Sequence, residues 1–236
     1  MAEKKISRKE LLKEPDEFLT WSAKTVQYVE QNPRKAYTAV AVVVAIFALA
    51  MAYYSYGQYQ IRAGHEALEK VYAQYRQASE STEDVAPDTW DKILADFDAV
   101  IQKYGSSPAS EVALLYSGHV LYKKDDLKGA LQRYEKMQST SLAEKGLGSL
   151  VIYHIAMTRM AMAEYEQAVQ LFDSLAKNTG SPYRREAYAS IAKIYLTTGK
   201  NKEALQAYKQ YLKMFPQAPD AAFVRVRIAG LAGEES

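Results

Sequence analysis

The sequence contains no cysteine. That removes disulfides, thiolate metal sites and a cysteine nucleophile together, and it excludes attachment through an acylated N-terminal cysteine. A chain without thiols is safe in an oxidising compartment, although this does not prove residence there. Glycine and proline are scarce, at 11 and 7 of 236 residues, and the net charge is only +2. The low charge gives no basic surplus of the kind a nucleic-acid surface needs. Gly-rich phosphate loops, a nucleophile elbow and an HExxH motif are also missing. The three histidines are His65 in the stem and His119 and His154 in different repeats, the latter two with no carboxylate at ligand spacing on the same turn. No metal, cofactor, catalytic residue or small-molecule substrate is therefore expected, and the chain does not read as an enzyme.

What is present is helix-forming. Ala, Leu, Lys, Glu and Gln are abundant and lose little on entering a helix. The 19 tyrosines against 6 phenylalanines point to many half-wet packing positions, with the ring buried and the hydroxyl solvated.

From Ala36 to Tyr56 the chain reads AYTAVAVVVAIFALAMAYYSY, 21 positions without a charge. As a helix this is roughly 31 Å long, close to the thickness of a bilayer's hydrocarbon core. Arg34 and Lys35 close one end, and Tyr53, Tyr54, Tyr56 and Tyr59 crowd the other as an interfacial belt would. A core helix of this length normally keeps a polar stripe, and a signal peptide starts its apolar run earlier and ends in a small-residue cleavage site. The reading is a single transmembrane helix. Basic residues near the span tie at three on each side, Lys24, Arg34 and Lys35 against Arg62, Lys70 and Arg76. The short tail holds eight in all and abuts the span with a pair, so it is expected inside, with the long C-terminal part outside.

Residues 1–35 form the expected cytoplasmic tail. Ser7 to Glu10 has capping-box spacing for a short helix through Leu11 and Leu12. Pro15 begins a second helix that places Phe18, Trp21, Thr25 and Val29 near one face, before Asn32-Pro33 turns the chain into the bilayer. Residues 57–87 read as a stem helix with Ile61, Leu68, Val71, Tyr72 and Tyr75 in helical period, followed by a polar loop over 78–87.

Residues 88–236 carry internal self-similarity. In 185–218, Ala192, Tyr195, Gly199, Ala204, Tyr208 and Pro216 fall on the 34-residue tetratricopeptide (TPR) pattern. In 111–144, Gly118, Leu121, Ala130 and Tyr134 take the same places, with Asp125-Asp126 in the turn; in 149–182, Ala156, Ala168 and Phe172 do so. Asp88 to Pro108 looks like the second helix of an earlier unit whose partner is the stem, and 220–232 reads as a capping helix through Val224, Ile228 and Leu231. A single helical hairpin cannot bury its apolar face, so neighbours must stack. The expected fold is all-α: a transmembrane helix followed by a TPR-like α-solenoid.

Stacks of this kind present the first helix of each unit along a concave groove. The pattern brings Leu115, His119, Tyr122 and Lys123 to that face from one unit, Tyr153, Met157 and Met160 from the next, and Lys193 and Leu196 from the third. Methionine and tyrosine adapt to varied peptides, so a soft apolar groove for protein segments is expected. The bland alternative is that Met157 and Met160 pack between units.

Taken together, the tail, the Ala- and Val-rich span, its tyrosine-rich exit and the TPR-like domain resemble the YfgM-like family, ancillary subunits of the SecYEG translocon. The tail stretch RKELLKEPDEFL is longer and more charged than in that family. The resemblance implies a protein of the bacterial inner membrane with its C-terminal domain in the periplasm, a non-catalytic scaffold or chaperone adaptor whose partners are translocon subunits, periplasmic chaperones or client proteins. An envelope regulator holding a cell-wall or division enzyme in the groove is the alternative.

Overall fold

The computed structural model describes residues 17–82, 85–105 and 107–234, with side chains from 23 to 233. The capping box at Ser7, Leu11, Leu12, Pro15 and the side chains of Phe18 and Trp21 lie outside that set. The described residues are helical throughout, with no strand among them: α1 (Glu17–Gln31), α2 (Pro33–Glu80), α3 (Pro87–Tyr104), α4 (Pro108–Lys123), α5 (Leu127–Gln138), a short π-helical segment (Ala143–Leu147), α6 (Gly148–Ala161), α7 (Tyr165–Lys177), α8 (Arg184–Thr197), α9 (Asn201–Met214) and α10 (Ala221–Glu234). The chain falls into two compact units, 1–58 and 59–236.

In the first unit, α1 and α2 are separated by Asn32 alone. Its backbone N–H and its side-chain amide both donate to the Tyr28 carbonyl, at 3.0 and 3.2 Å. Pro33 then opens α2 at the position where a missing N–H costs nothing. α2 is 48 residues long and holds a window apolar enough to cross a membrane, none of it buried. Phe47 is 70% exposed and Leu49 71%. A core helix of a soluble domain would hide such residues.

In the second unit four apolar clusters follow one another along the chain. Leu68 and Val71 of α2 pack with Ile93, Phe97 and Val100 of α3 and Ala109, Ala113 and Val120 of α4. Leu114 and Leu121 of α4 join Tyr134 and Met137 of α5 and Val151 and Ile155 of α6. Ala156 of α6, Phe172 and Leu175 of α7 and Ile191 and Ile194 of α8 form the third. Ala192 of α8, Tyr208 and Tyr211 of α9 and Val224 and Leu231 of α10 form the fourth. Each cluster joins one hairpin to the next helix, so burial propagates along the solenoid and no single hairpin is self-sufficient. The chain is an all-helical, TPR-like solenoid. α2 itself supplies the inner helix of the first hairpin, and it runs to Glu80, so 78–80 of the expected loop are helical.

The small and aromatic positions explain why the helices approach so closely. Ala130, Ala156, Ala168, Ala192 and Ala204 are all fully buried, as are Tyr134 at 1% exposure and Phe172 at 0%. Arg159 stands where 185–218 has Tyr195 and 111–144 has Leu121. Its guanidinium donates to Glu164 at 2.6 Å and to Glu135 of the preceding hairpin at 3.0 Å, so an ion-pair clamp replaces an apolar contact. Glu111 is 5% exposed, and its carboxylate accepts from Ser141 Oγ at 3.2 Å and the Leu142 N–H at 2.8 Å, fastening the turn after α5.

The turns inside the three hairpins share one backbone solution. Asp125, Ala163 and Gly199 are each the fifteenth residue of their units, and their φ values are 61°, 60° and 71°. The following residues, Asp126, Glu164 and Lys200, donate backbone N–H bonds to Leu121, Arg159 and Tyr195 at 2.9, 2.9 and 2.8 Å, the six-to-one closure of a Schellman turn. Asp126 also caps α5, accepting from the Gly129 N–H at 2.9 Å. Glycine and aspartate suit the left-handed region, whereas alanine is strained there by about 1 kcal/mol. Ala163→Gly should therefore stabilise the protein by about 0.5–1 kcal/mol, and Gly199→Ala should destabilise it by about 1 kcal/mol. Opposite shifts in the chemical-denaturation midpoint would show this; shifts of the same sign would refute it.

Candidate interaction surface

The inner helices α2, α4 and α6 converge on a cavity of about 280 Å³, lined by Tyr75, His119, Tyr122, Lys123, Tyr134, Tyr153, His154 and Met157. Five of the nine residues expected on the groove therefore meet at one place: His119, Tyr122, Lys123, Tyr153 and Met157. The other four do not line it. Leu115 is 5% exposed and belongs to the core between α4, α5 and α6, which corrects its assignment to the groove. Met160 packs against the third cluster and Leu196 against the fourth, while Lys193 is exposed on α8. Met157 does both things, touching the third cluster and lining the cavity.

The floor is a histidine pair. His119 Nε2 and His154 Nε2 stand 3.2 Å apart, with ring centroids 4.4 Å apart. A hydrogen bond between two imidazole nitrogens requires one to carry the proton and the other to be bare, so the rings adopt opposite roles. Tyr134 lies parallel to His154 at 5.2 Å, and Tyr116 meets His119 edge-on at 5.4 Å. Burial lowers the His119 pKa to about 3, with the neighbouring His154 contributing, and burial lowers that of His154 to about 4. Burial likewise pushes the phenols of Tyr75, Tyr134 and Tyr153 upward, so these groups stay neutral at physiological pH.

The walls are aromatic. Tyr153 stacks on Tyr183 with centroids 4.8 Å apart and planes 17° from parallel. Lys123 sits at the rim with Nζ 4.8 Å from the Trp90 ring centre, while Lys124 beside it pairs with Asp91. His65 is exposed on α2, far along the sequence from this pair. Among the described residues no group of three or more His, Asp or Glu side chains is placed to hold a metal.

Sequence reasoning missed Tyr75, Tyr134 and His154 as lining residues. Tyr134, which falls on the repeat pattern, both packs in the core and lines the cavity. His119 is the ninth residue of its unit and His154 the sixth of the next. The rotation between successive hairpins brings those two positions together, and no period within one helix encodes it.

A family profile described as a tetratricopeptide repeat-like domain matches residues 31–233. The chain belongs to the tetratricopeptide repeat-like domain family. The match takes in the long apolar helix as well as the hairpins. Among solved structures, a tetratricopeptide repeat protein from Parabacteroides merdae is 15% identical, with a TM-score of 0.54 over 72% of this chain and 61% of that one. This TPR-like chain thus spans less than two thirds of that protein. Nearly identical TPR-like repeats of a putative kinesin light chain from Podosopora anserina give 13% identity and a TM-score of 0.53, over 73% of this chain and 85% of that one. The pilF protein of Pseudomonas aeruginosa gives 16% identity and a TM-score of 0.53, over 73% and 71%. At these identities the likeness is one of fold. Among curated proteins none matches.

Proposed function

We propose that this TPR-like protein is a membrane-tethered, non-catalytic scaffold that holds other proteins on the inner-helix face of its solenoid. The family's fold implies protein–protein interaction, and the convergence of His119, Tyr122, Lys123, Tyr153 and Met157 on one open cavity carries the choice of face. The unburied apolar window in α2 supports the tether, with residues 1–35 in the cytoplasm and the solenoid in the periplasm. The arrangement resembles YfgM-like subunits, and this reading places the protein beside the secretion translocon, passing emerging proteins to periplasmic chaperones. An apolar, tyrosine- and methionine-lined surface suits clients that are still extended.

The test is site-specific photo-crosslinking in intact bacterial cells. A crosslinker at Phe47 in α2 is expected to capture translocon subunits, and one at Lys193 on α8 secreted clients or periplasmic chaperones. Capture of cell-wall or division enzymes at both sites would move the scaffold to a different assembly. Recovery of the protein in the soluble fraction without detergent would overturn the tether.

A further inference from the structure

We propose that the cavity between α4 and α6 is an anchor pocket for one bulky uncharged side chain of a bound partner segment, aromatic or long aliphatic, whose sequence neighbour is an acidic residue paired with Lys123. This rests on the scaffold reading and names the chemistry that its surface selects.

Size comes first. About 280 Å³ lies at or below the smallest pockets that take a whole small ligand, yet it admits one large side chain. The walls offer tyrosine rings and the thioether of Met157, which pack well against apolar groups of varied shape. The floor removes the alternatives. His119 and His154 satisfy each other at 3.2 Å and carry no charge at neutral pH, so a guest anion would leave water without meeting a buried cation. A guest cation would meet Lys123 at the mouth and find no carboxylate among the lining residues. An uncharged side chain incurs neither cost and gains the burial of its apolar surface.

Lys123 supplies the second half of the specificity. Its ammonium rests against the Trp90 ring, and among the described residues no carboxylate pairs with it, whereas Lys124 is paired to Asp91. The exposed, unpaired cation at the rim therefore favours a carboxylate just outside the pocket, one residue along the extended partner from the anchor. Exposed pairing of this kind adds a modest, salt-sensitive increment and mainly sets register.

The experiment uses the full chain in detergent and fluorescein-labelled peptides of sequence Gly-Ser-Gly-X-Asp-Gly-Ser-Gly, read by fluorescence anisotropy. Peptides with X as Phe, Leu or Met should bind at least about tenfold more tightly than those with X as Ala, Glu or Lys, a difference of about 1.4 kcal/mol. Combining Tyr153→Ala with Met157→Ala should erase that discrimination, with circular dichroism confirming an unchanged helical signal. Lys123 is exposed, so Lys123→Glu leaves the core untouched, and with an unchanged helical signal it should reverse the preference at the following position from Asp to Lys. Equal affinity for every X, no binding of any X, or an unchanged Asp preference in Lys123→Glu would overturn the anchor. Crosslinking from Lys193 in cells does not depend on X, so its outcome reports on the scaffold by itself.

Discussion

Gly118→Ala is expected to destabilise the protein by about 2–3 kcal/mol, although alanine is the better helix former by about 1 kcal/mol. A Cβ at position 118 would lie 2.5 Å from Tyr134 Cε1 and 2.9 Å from both Cδ1 and Cζ. Tyr134 is 1% exposed and stacked on His154 at 5.2 Å, so relieving the clash means either pushing its ring off that stack toward the cavity or separating α4 from α5. The same substitution at Gly230 of α10 meets nothing within 4 Å and should stabilise by about 0.5–1 kcal/mol. Urea denaturation of the two variants side by side separates close approach from helix propensity. A gain in stability at both positions would show that the α4–α5 contact is looser than described.

Acidification is expected to cost more than any single surface change. The unfolded chain has histidine pKa values near 6.5, whereas the folded state holds His119 near 3 and His154 near 4. Folded-state values that lie lower mean that the unfolded chain takes up protons the folded one refuses. Stability from this pair is therefore complete above about pH 6.5 and drains as pH falls toward the folded-state values. Each histidine gives up about 1.4 kcal/mol per pH unit in that window, so moving from pH 7.5 to 5 should remove about 2–4 kcal/mol for the pair. Replacing both by glutamine should flatten the stability profile between pH 5 and 7.5, at some cost in stability at neutral pH. A wild-type midpoint that does not move over that range would refute the buried neutral pair.

The two effects meet in one region, since Gly118, His119, Tyr134 and His154 are neighbours on α4, α5 and α6. The close approach that glycine permits brings Tyr134 under the histidines, and the resulting burial keeps them neutral. Packing and electrostatics there have a single cause.

Much of the fold was legible in the chain. The uncharged run from Ala36 to Tyr56 announces itself by composition, and α2 displays it unburied. Small residues at 118, 156 and 192 and aromatics at 134, 172 and 208 recur with the spacing of helical hairpins, and the structure buries all of them. The cavity lining was legible in part. His119, Tyr122, Lys123, Tyr153 and Met157 meet as the repeat pattern implies, but Leu115 turned into the core and Met160, Lys193 and Leu196 went elsewhere. Arg159 shows why 149–182 matches the pattern at fewer positions, because it forms ion pairs where 185–218 has the aromatic Tyr195.

The sequence by itself determined which segments are helical, where they turn and which faces are apolar, because these follow from local period, volume and backbone conformation. Only the tertiary structure decided that two histidines from different hairpins touch and that four tyrosines frame one cavity. Those outcomes depend on the rotation from one hairpin to the next, which is set by the summed packing of many side chains and is written in no single stretch of residues.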